Sequence, residues 1–169
     1  MNLSEVADWL AVCREGRNQL ERMARSRAKV LARDGNAVQC RVLGGPTLWV
    51  DERDRALAPW LIHYGYWESW VTVALARRLK PGVRFVDVGA NFGYYTVMAA
   101  AAGATVFALE PNRAVAKLVQ RSLDDNALGG LVVQAAAGAD RKQAMLRWRE
   151  GDMGGASLHF ASESSLREE

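Results

Sequence analysis

Val86-Asp87-Val88-Gly89-Ala90-Asn91-Phe92-Gly93-Tyr94-Tyr95-Thr96 is a β-rich run that breaks into a glycine-punctuated turn and then enters an apolar stretch reaching Ala102. Arg84 to Val88 reads as a strand and Tyr94 to Ala102 as a helix. Gly103-Ala104 leads into Thr105-Val106-Phe107-Ala108-Leu109, a second strand that ends at Glu110-Pro111-Asn112. Ala114 to Asn126 is amphipathic, with Val115, Leu118, Val119 and Leu123 on the inward face. Gly129-Gly130 turns the chain into a third strand, Leu131 to Ala136. Strands alternating with helices predict a Rossmann-like α/β fold, a parallel, doubly wound sheet built by right-handed crossovers.

Open parallel sheets take ligands at the carboxyl ends of their strands, and both distinctive loops fall there. In the first, Gly89 and Gly93 let the backbone approach a ligand without an intervening Cβ. Ala90, Asn91 and Tyr94 complete that loop and open the helix, whose first turn offers N–H groups suited to a carboxylate. Asp87 can accept from an amino group on the same ligand. In the second loop, Glu110 stands about twenty residues beyond the glycines, where an acid accepts from ribose hydroxyls. Pro111 and Asn112 then turn the chain away. Ala136 and Ala137 close the third strand, where small residues leave room for a flat ring or simply pack in a core. The dinucleotide fingerprint Gly-x-Gly-x-x-Gly is not matched: Asn91 stands in place of its second glycine, and Tyr94 or Tyr95 in the region of its third.

Upstream, Ser4 can cap a first helix, and Val6, Leu10, Cys13, Leu20, Met23 and Val30 recur at loosely helical spacing with a break at Gly16. Asp34-Gly35-Asn36 is a turn, and Ala37 to Leu43 and Thr47 to Asp51 read as a hairpin joined by Gly44-Gly45-Pro46. Arg55 to Tyr66 is mixed and aromatic, and Trp67 to Leu79 is helical up to Lys80-Pro81-Gly82. Downstream, Gln143 to Arg149 alternates as a strand, Gly151 to Gly155 is a turn, Ala156 to Phe160 is a return strand, and Ser162 to Glu169 is a polar end. The expected division is an N-terminal helix and hairpin extension over 1–63 and a ligand-binding domain over 64–169.

The 169 residues are 50% hydrophobic and 24% charged, a globular composition, and the net charge is +3. The excess sits between Arg14 and Arg33, a segment that also holds Glu15 and Glu21 and is followed by Asp34. A solvated helix face explains it, so the expected partners include no nucleic acid. No stretch has the roughly 18 apolar residues of a membrane span. Cys13 and Cys40 are the only cysteines and lack metal-ligand spacing, so no metal is expected and the thiols suit a reducing, cytoplasmic setting.

The stretches 86–96 and 107–112 resemble the FkbM-type methyltransferases. Tyr64-Gly65-Tyr66-Trp67-Glu68, Leu79-Lys80-Pro81-Gly82, Ala136-Ala137-Gly138-Ala139-Asp140 and Gly155-Ala156-Ser157-Leu158 look like further parts of that pattern, which spans about Tyr64 to Phe160. The resemblance implies the class I methyltransferase sheet and S-adenosyl-L-methionine as cofactor. It also implies transfer to a hydroxyl of a small-molecule acceptor: a sugar, lipid or natural product. The family pattern continues with a fourth strand bearing an Asp and a Lys-Ile-Asp-x-Glu-Gly-like segment. The expectation is therefore an incomplete sheet, a fragment of doubtful activity alone, and self-association through an exposed edge.

The cofactor-binding set expected from loops and resemblance together is Asp87, Gly89, Ala90, Asn91, Gly93, Tyr94, Glu110, Pro111, Asn112, Ala137 and Glu68. An alcohol acceptor benefits from a general base, and His63, Glu68 and His159 are candidates, none singled out. Two other functions stay open: a non-catalytic cofactor-binding or interaction fragment, and an NAD-dependent oxidoreductase.

Overall fold

The computed structural model describes residues 3–140, 144–149, 151–157 and 166–168. The chain begins with α1 (Leu3–Glu15) and α2 (Arg17–Arg27), separated at Gly16. A three-stranded antiparallel sheet follows, β1 (Val30–Asp34), β2 (Ala37–Arg41) and β3 (Thr47–Asp51), in the order β1-β2-β3. The hairpin at 37–51 is thus present, with Cys40 opposite Leu48. The sequence reading gave Val30 to a helix. It starts a strand instead, because Asp34-Gly35-Asn36 turns the chain back and pairs Asp34 with Ala37.

The aromatic stretch contains a short helix, α3 (Ala58–Tyr64), which ends where Gly65 takes the left-handed conformation at φ 69°. Asp54 builds its start. The fully buried carboxylate accepts on Oδ1 from the N–H groups of Leu57 at 2.7 Å and Ala58 at 2.9 Å. Its Oδ2 accepts from the Met153 N–H at 3.0 Å, so one side chain satisfies a helix start and anchors a distant strand. α4 (Ser69–Ala76) follows.

The second half has the predicted grammar. β4 (Arg84–Val88), α5 (Tyr94–Ala101), β5 (Thr105–Leu109), α6 (Arg113–Asp125) and β6 (Leu131–Val133) form a parallel sheet in the order β4-β5-β6. Register is even, with Val88 beside Leu109 and Leu109 beside Val133. α5 and α6 pack against each other on one face of the sheet. On the other face, among the described residues, Val86, Val88 and Leu131 are more than half exposed. The third antiparallel sheet holds β7 (Arg147–Arg149), β8 (Asp152–Ser157) and β9 (Leu166–Glu168) in the order β8-β7-β9. β8 begins at Asp152, earlier than the predicted return strand, so Gly154 and Gly155 lie in a strand rather than a turn. The polar end predicted over 162–169 lies mostly outside the described residues.

One cluster of buried side chains runs from Trp9 through Leu48, Leu61 and Phe92 to Leu123. α6 joins the first antiparallel sheet to the parallel one. The Ser122 hydroxyl accepts from the Trp49 N–H at 2.8 Å, and Asn126 accepts from the Thr47 N–H at 3.0 Å while donating to the Thr47 carbonyl at 2.8 Å. Asn126 caps the C-terminal end of α6, where its sequence position put it, and bridges to β3. No described helix is long and apolar enough to cross a membrane.

Candidate functional site

The strand tips of β4 and β5 meet through backbone and one side chain. The N–H groups of Gly89 and Ala90 both donate to the Leu109 carbonyl, at 2.9 and 3.0 Å. The Glu110 carboxylate accepts from the Asn91 N–H at 2.7 Å on Oε2 and from the Asn112 N–H at 2.9 Å on Oε1. With the Gly93 N–H donating to the Ala90 carbonyl at 2.8 Å, four amides of the glycine loop are spoken for within the chain. Those left for a carboxylate ligand belong to the first turn of α5, where a helix has no intrahelical partners for its N–H groups.

The two glycines differ. Gly89 has φ 75° and a Cβ built there would meet nothing within 4 Å, so this side of the loop is open. Gly93 has φ 79°, but its Cβ would fall 2.8 Å from Cγ1 of Val119. Gly93 therefore serves the close approach of α5 to α6, a correction to the sequence reading that gave both glycines to a ligand. Between them, Ala90 and Phe92 are buried, and burying a phenylalanine contributes about 1.5–3 kcal/mol to holding the loop down. Asn91 has a positive φ of 50°, uncommon for a residue with a Cβ. Its Oδ1 is buried without a hydrogen-bond partner. A buried acceptor left unpaired costs about 1–3 kcal/mol, and a ligand donor would relieve it.

Asp87 and Glu110 are the acids of the cradle. Asp87 accepts from the Thr96 hydroxyl at 2.6 Å. Burial raises its pKa against the opposing pull of that bond. Glu110 is only 5% exposed. Burial raises its pKa too, the two backbone N–H bonds pull the other way, and the charge of Asp87 adds to the rise. The pair thus sits close enough to feel each other.

Two of the predicted residues, Asn112 and Tyr94, are engaged elsewhere. Asn112 is the N-cap of α6: its Oδ1 accepts from the N–H groups of Ala114 and Val115 at 3.0 and 3.2 Å, and the residue is buried. Tyr94 points into the core, 3% exposed, with its hydroxyl 3.1 Å from that of Thr72 on α4. Tyr95 is the tyrosine nearer the surface. Its hydroxyl donates to Glu68 at 2.9 Å, and burial followed by that bond raises its pKa. Ala137 lies four residues past the end of β6 and is exposed, so it does not close a strand. Pro111, between Glu110 and Asn112, is half-buried.

Glu68 precedes α4 with φ 35° and ψ 67°, a left-handed conformation that strains a residue with a side chain. Through Tyr95 it touches the first turn of α5. His63 is exposed in the last turn of α3. His159 lies outside the described residues. No group of three or more His, Cys, Asp or Glu that could hold a metal occurs among the described residues.

No known family profile matches the chain. No curated protein matches it either. Solved structures do resemble it. A transferase of Pyrococcus horikoshii shares 17% identity at a TM-score of 0.49, over 61% of this chain and 37% of that one. The tRNA m1G37 methyltransferase of M. jannaschii shares 15% at 0.47, over 68% and 34%. The T. thermophilus 16S rRNA N2 G1207 methyltransferase, solved with AdoMet and guanosine, shares 22% at 0.46, over 68% and 36%. The chain thus spans little more than a third of the length of each. Likeness this distant says nothing about this chain's activity. It does correct one expectation. Two of these structures are by name enzymes of tRNA and rRNA, so the exclusion of nucleic acid does not stand, and a small-molecule acceptor is not retained.

Proposed function

We propose that the chain is the cofactor-binding part of a class I S-adenosylmethionine-dependent methyltransferase. One observation carries the reading. Glu110 is tied to the glycine loop beside the open face of Gly89 and the unpaired Oδ1 of Asn91. That is a carboxylate, an orphan acceptor and a bare backbone at one pair of strand tips. A ligand with ribose hydroxyls and an amino-acid end has donors for both acceptors. The resemblance of 86–96 and 107–112 to the FkbM-type methyltransferases supports the same reading.

The residues fit the group in this way. Glu110 would accept from ribose hydroxyls with the lone pairs left after its two backbone bonds, since an ionised carboxylate has about four acceptor sites. Asn91 would accept a further ligand donor. Asp87, held by Thr96, would accept from the amino group, and the first-turn N–H groups of α5 would face the carboxylate. When bound, the cofactor supplies an electrophilic methyl group on sulfur. The chain's task is to fix that group in position, and alignment of this kind supplies much of the acceleration of a displacement. Glu68, strained and bonded to Tyr95 at the head of α4, is the best placed of the described candidates to orient or deprotonate an acceptor.

Titration calorimetry with S-adenosylmethionine, S-adenosylhomocysteine and NAD tests the proposal. It expects saturable heat with the first two and none with NAD. Binding of NAD alone would replace the reading with the dinucleotide one.

A further inference from the structure

The aromatic and basic residues that the cradle leaves unused gather on a surface beside it. On α2, Arg17, Glu21 and Arg25 fall at successive i, i+4 positions, and Glu21 lies 3.6 and 3.7 Å from the two guanidinium groups. The Arg17 guanidinium stands 5.6 Å from the ring centre of Trp70. That of Arg25 stands 5.1 Å from Tyr64 and 5.5 Å from Tyr66. Trp60 leans on Tyr64 with centroids 4.7 Å apart. Trp60, Tyr64 and Trp70 are 40%, 38% and 58% exposed. Arg22 borders a shallow open concavity on the same helix. Between Arg17 and Arg27, four arginines stand against one glutamate.

Arginines stapling α2 to the 60–70 segment would account for buried Tyr66, which accepts from Arg25 at 2.6 Å. Stapling does not account for three large rings left open to solvent among the arginines. Cationic groups interleaved with accessible flat rings are complementary to a polyanion whose own flat rings are unpaired.

We propose that α2 and the 60–70 segment form a binding surface for single-stranded nucleic acid, with Trp60, Tyr64 and Trp70 stacking on bases and the arginines meeting phosphates. The surface leads to the cradle. Ser69 accepts from Arg17 at 3.0 Å and donates to Glu21 at 2.6 Å, and its neighbour Glu68 accepts from Tyr95 on α5. A strand lying over Trp70 is therefore next to the Ser69–Glu68 pair that connects to the glycine loop's own helix. The inference goes beyond the cofactor reading and does not depend on it.

Fluorescence anisotropy of labelled oligouridine and oligothymidine, titrated with the full chain at rising salt, tests it. Saturable binding is expected, with the logarithm of affinity falling linearly in the logarithm of salt. Trp60→Ala and Trp70→Ala should each weaken binding about tenfold or more, the scale of one lost base–ring stack. Arg22→Gln should weaken it and flatten the salt slope by about 0.7, one phosphate's worth for a single strand. Each variant should keep the wild-type circular dichroism and its heat with S-adenosylmethionine. Failure to bind either oligonucleotide at low salt would overturn the proposal. So would affinity unchanged in all three variants, equal competition by a fully paired duplex, or binding to anionic vesicles in place of the oligonucleotides. Loss of S-adenosylmethionine binding with oligonucleotide binding intact would fault the cofactor reading alone.

Discussion

The Asn91 N–H donates to the Glu110 carboxylate at 2.7 Å, nineteen positions apart in sequence, and so locks the tip of β4 to the tip of β5. The second oxygen of Glu110 holds the Asn112 N–H, which places the acid at the centre of both loops. Glu110 thus does structural work before any ligand arrives, and its ionisation state matters twice.

The first consequence is a pH dependence with two signs. Burial lifts Glu110 above the ordinary glutamate value of 4.5. The folded chain then holds its proton where the unfolded chain has lost it. Stability from this group is full below the unfolded value and falls as pH rises through the folded one. Binding of a ribose donor has the opposite sign, because it uses the ionised acceptor. Urea midpoints should fall and S-adenosylmethionine affinity should rise as pH climbs above 4.5, both levelling off above the folded value. Glu110→Gln should shrink both movements, leaving the part that belongs to Asp87, which burial raises as well.

A second expectation separates the glycines. Gly89→Ala places a Cβ in open space at φ 75°, so it should cost about 1–2 kcal/mol of stability, the usual left-handed penalty. Gly93→Ala meets the same penalty and, in addition, Val119 at 2.8 Å. Denaturant melts should show Gly93→Ala as the more destabilised, with part of the loss recovered in a Val119→Ala background. Equal losses, with no recovery, would mean that the α5–α6 approach does not set the need for glycine at 93.

Asn112→Ala removes the cap of α6 and should lower stability by about 1 kcal/mol. Its cofactor affinity, read by calorimetry, should fall far less than that of a Glu110 variant. A larger loss of affinity than of stability would return Asn112 to the ligand.

The thiols of Cys13 and Cys40 are buried, and burial pushes both up to about 12. Thiolate is the reactive form, so neither should react with a disulfide reagent at neutral pH until the chain unfolds. Two equivalents of rapid reaction in the native protein would contradict the placement of both.

The strand–loop–helix–strand–acid order was legible because each element carries its own local signal. β4, α5, β5 and α6 sit within a residue or two of where hydrophobic spacing put them. Val30 to Asp34 was not legible as a strand. A short apolar run between arginines reads equally as a helix end, and only pairing with Ala37 to Cys40 decides it. α3 was missed although its start carries a local signal: Asp54 accepts from the Leu57 and Ala58 N–H groups just ahead of it, and only its bond to Met153 is tertiary. Tyr94 and Tyr95 could not be told apart, since neighbouring helix positions differ by about 100° in direction and α4 decides which one is covered. Asn112 carried a visible signal that went unused, since Asn just before an amphipathic helix is a preferred N-cap. The third strand was read three residues too long because nothing in Val133-Gln134-Ala135-Ala136 marks where the neighbouring strand stops pairing.

The most direct test of the cradle is calorimetric titration of S-adenosylmethionine into the wild-type chain and into Glu110→Gln at neutral pH. The account predicts micromolar or tighter binding by the wild type and a loss of about 10- to 150-fold in the variant, the range of a hydrogen bond to a charged acceptor. Equal affinities in two folded proteins would contradict it.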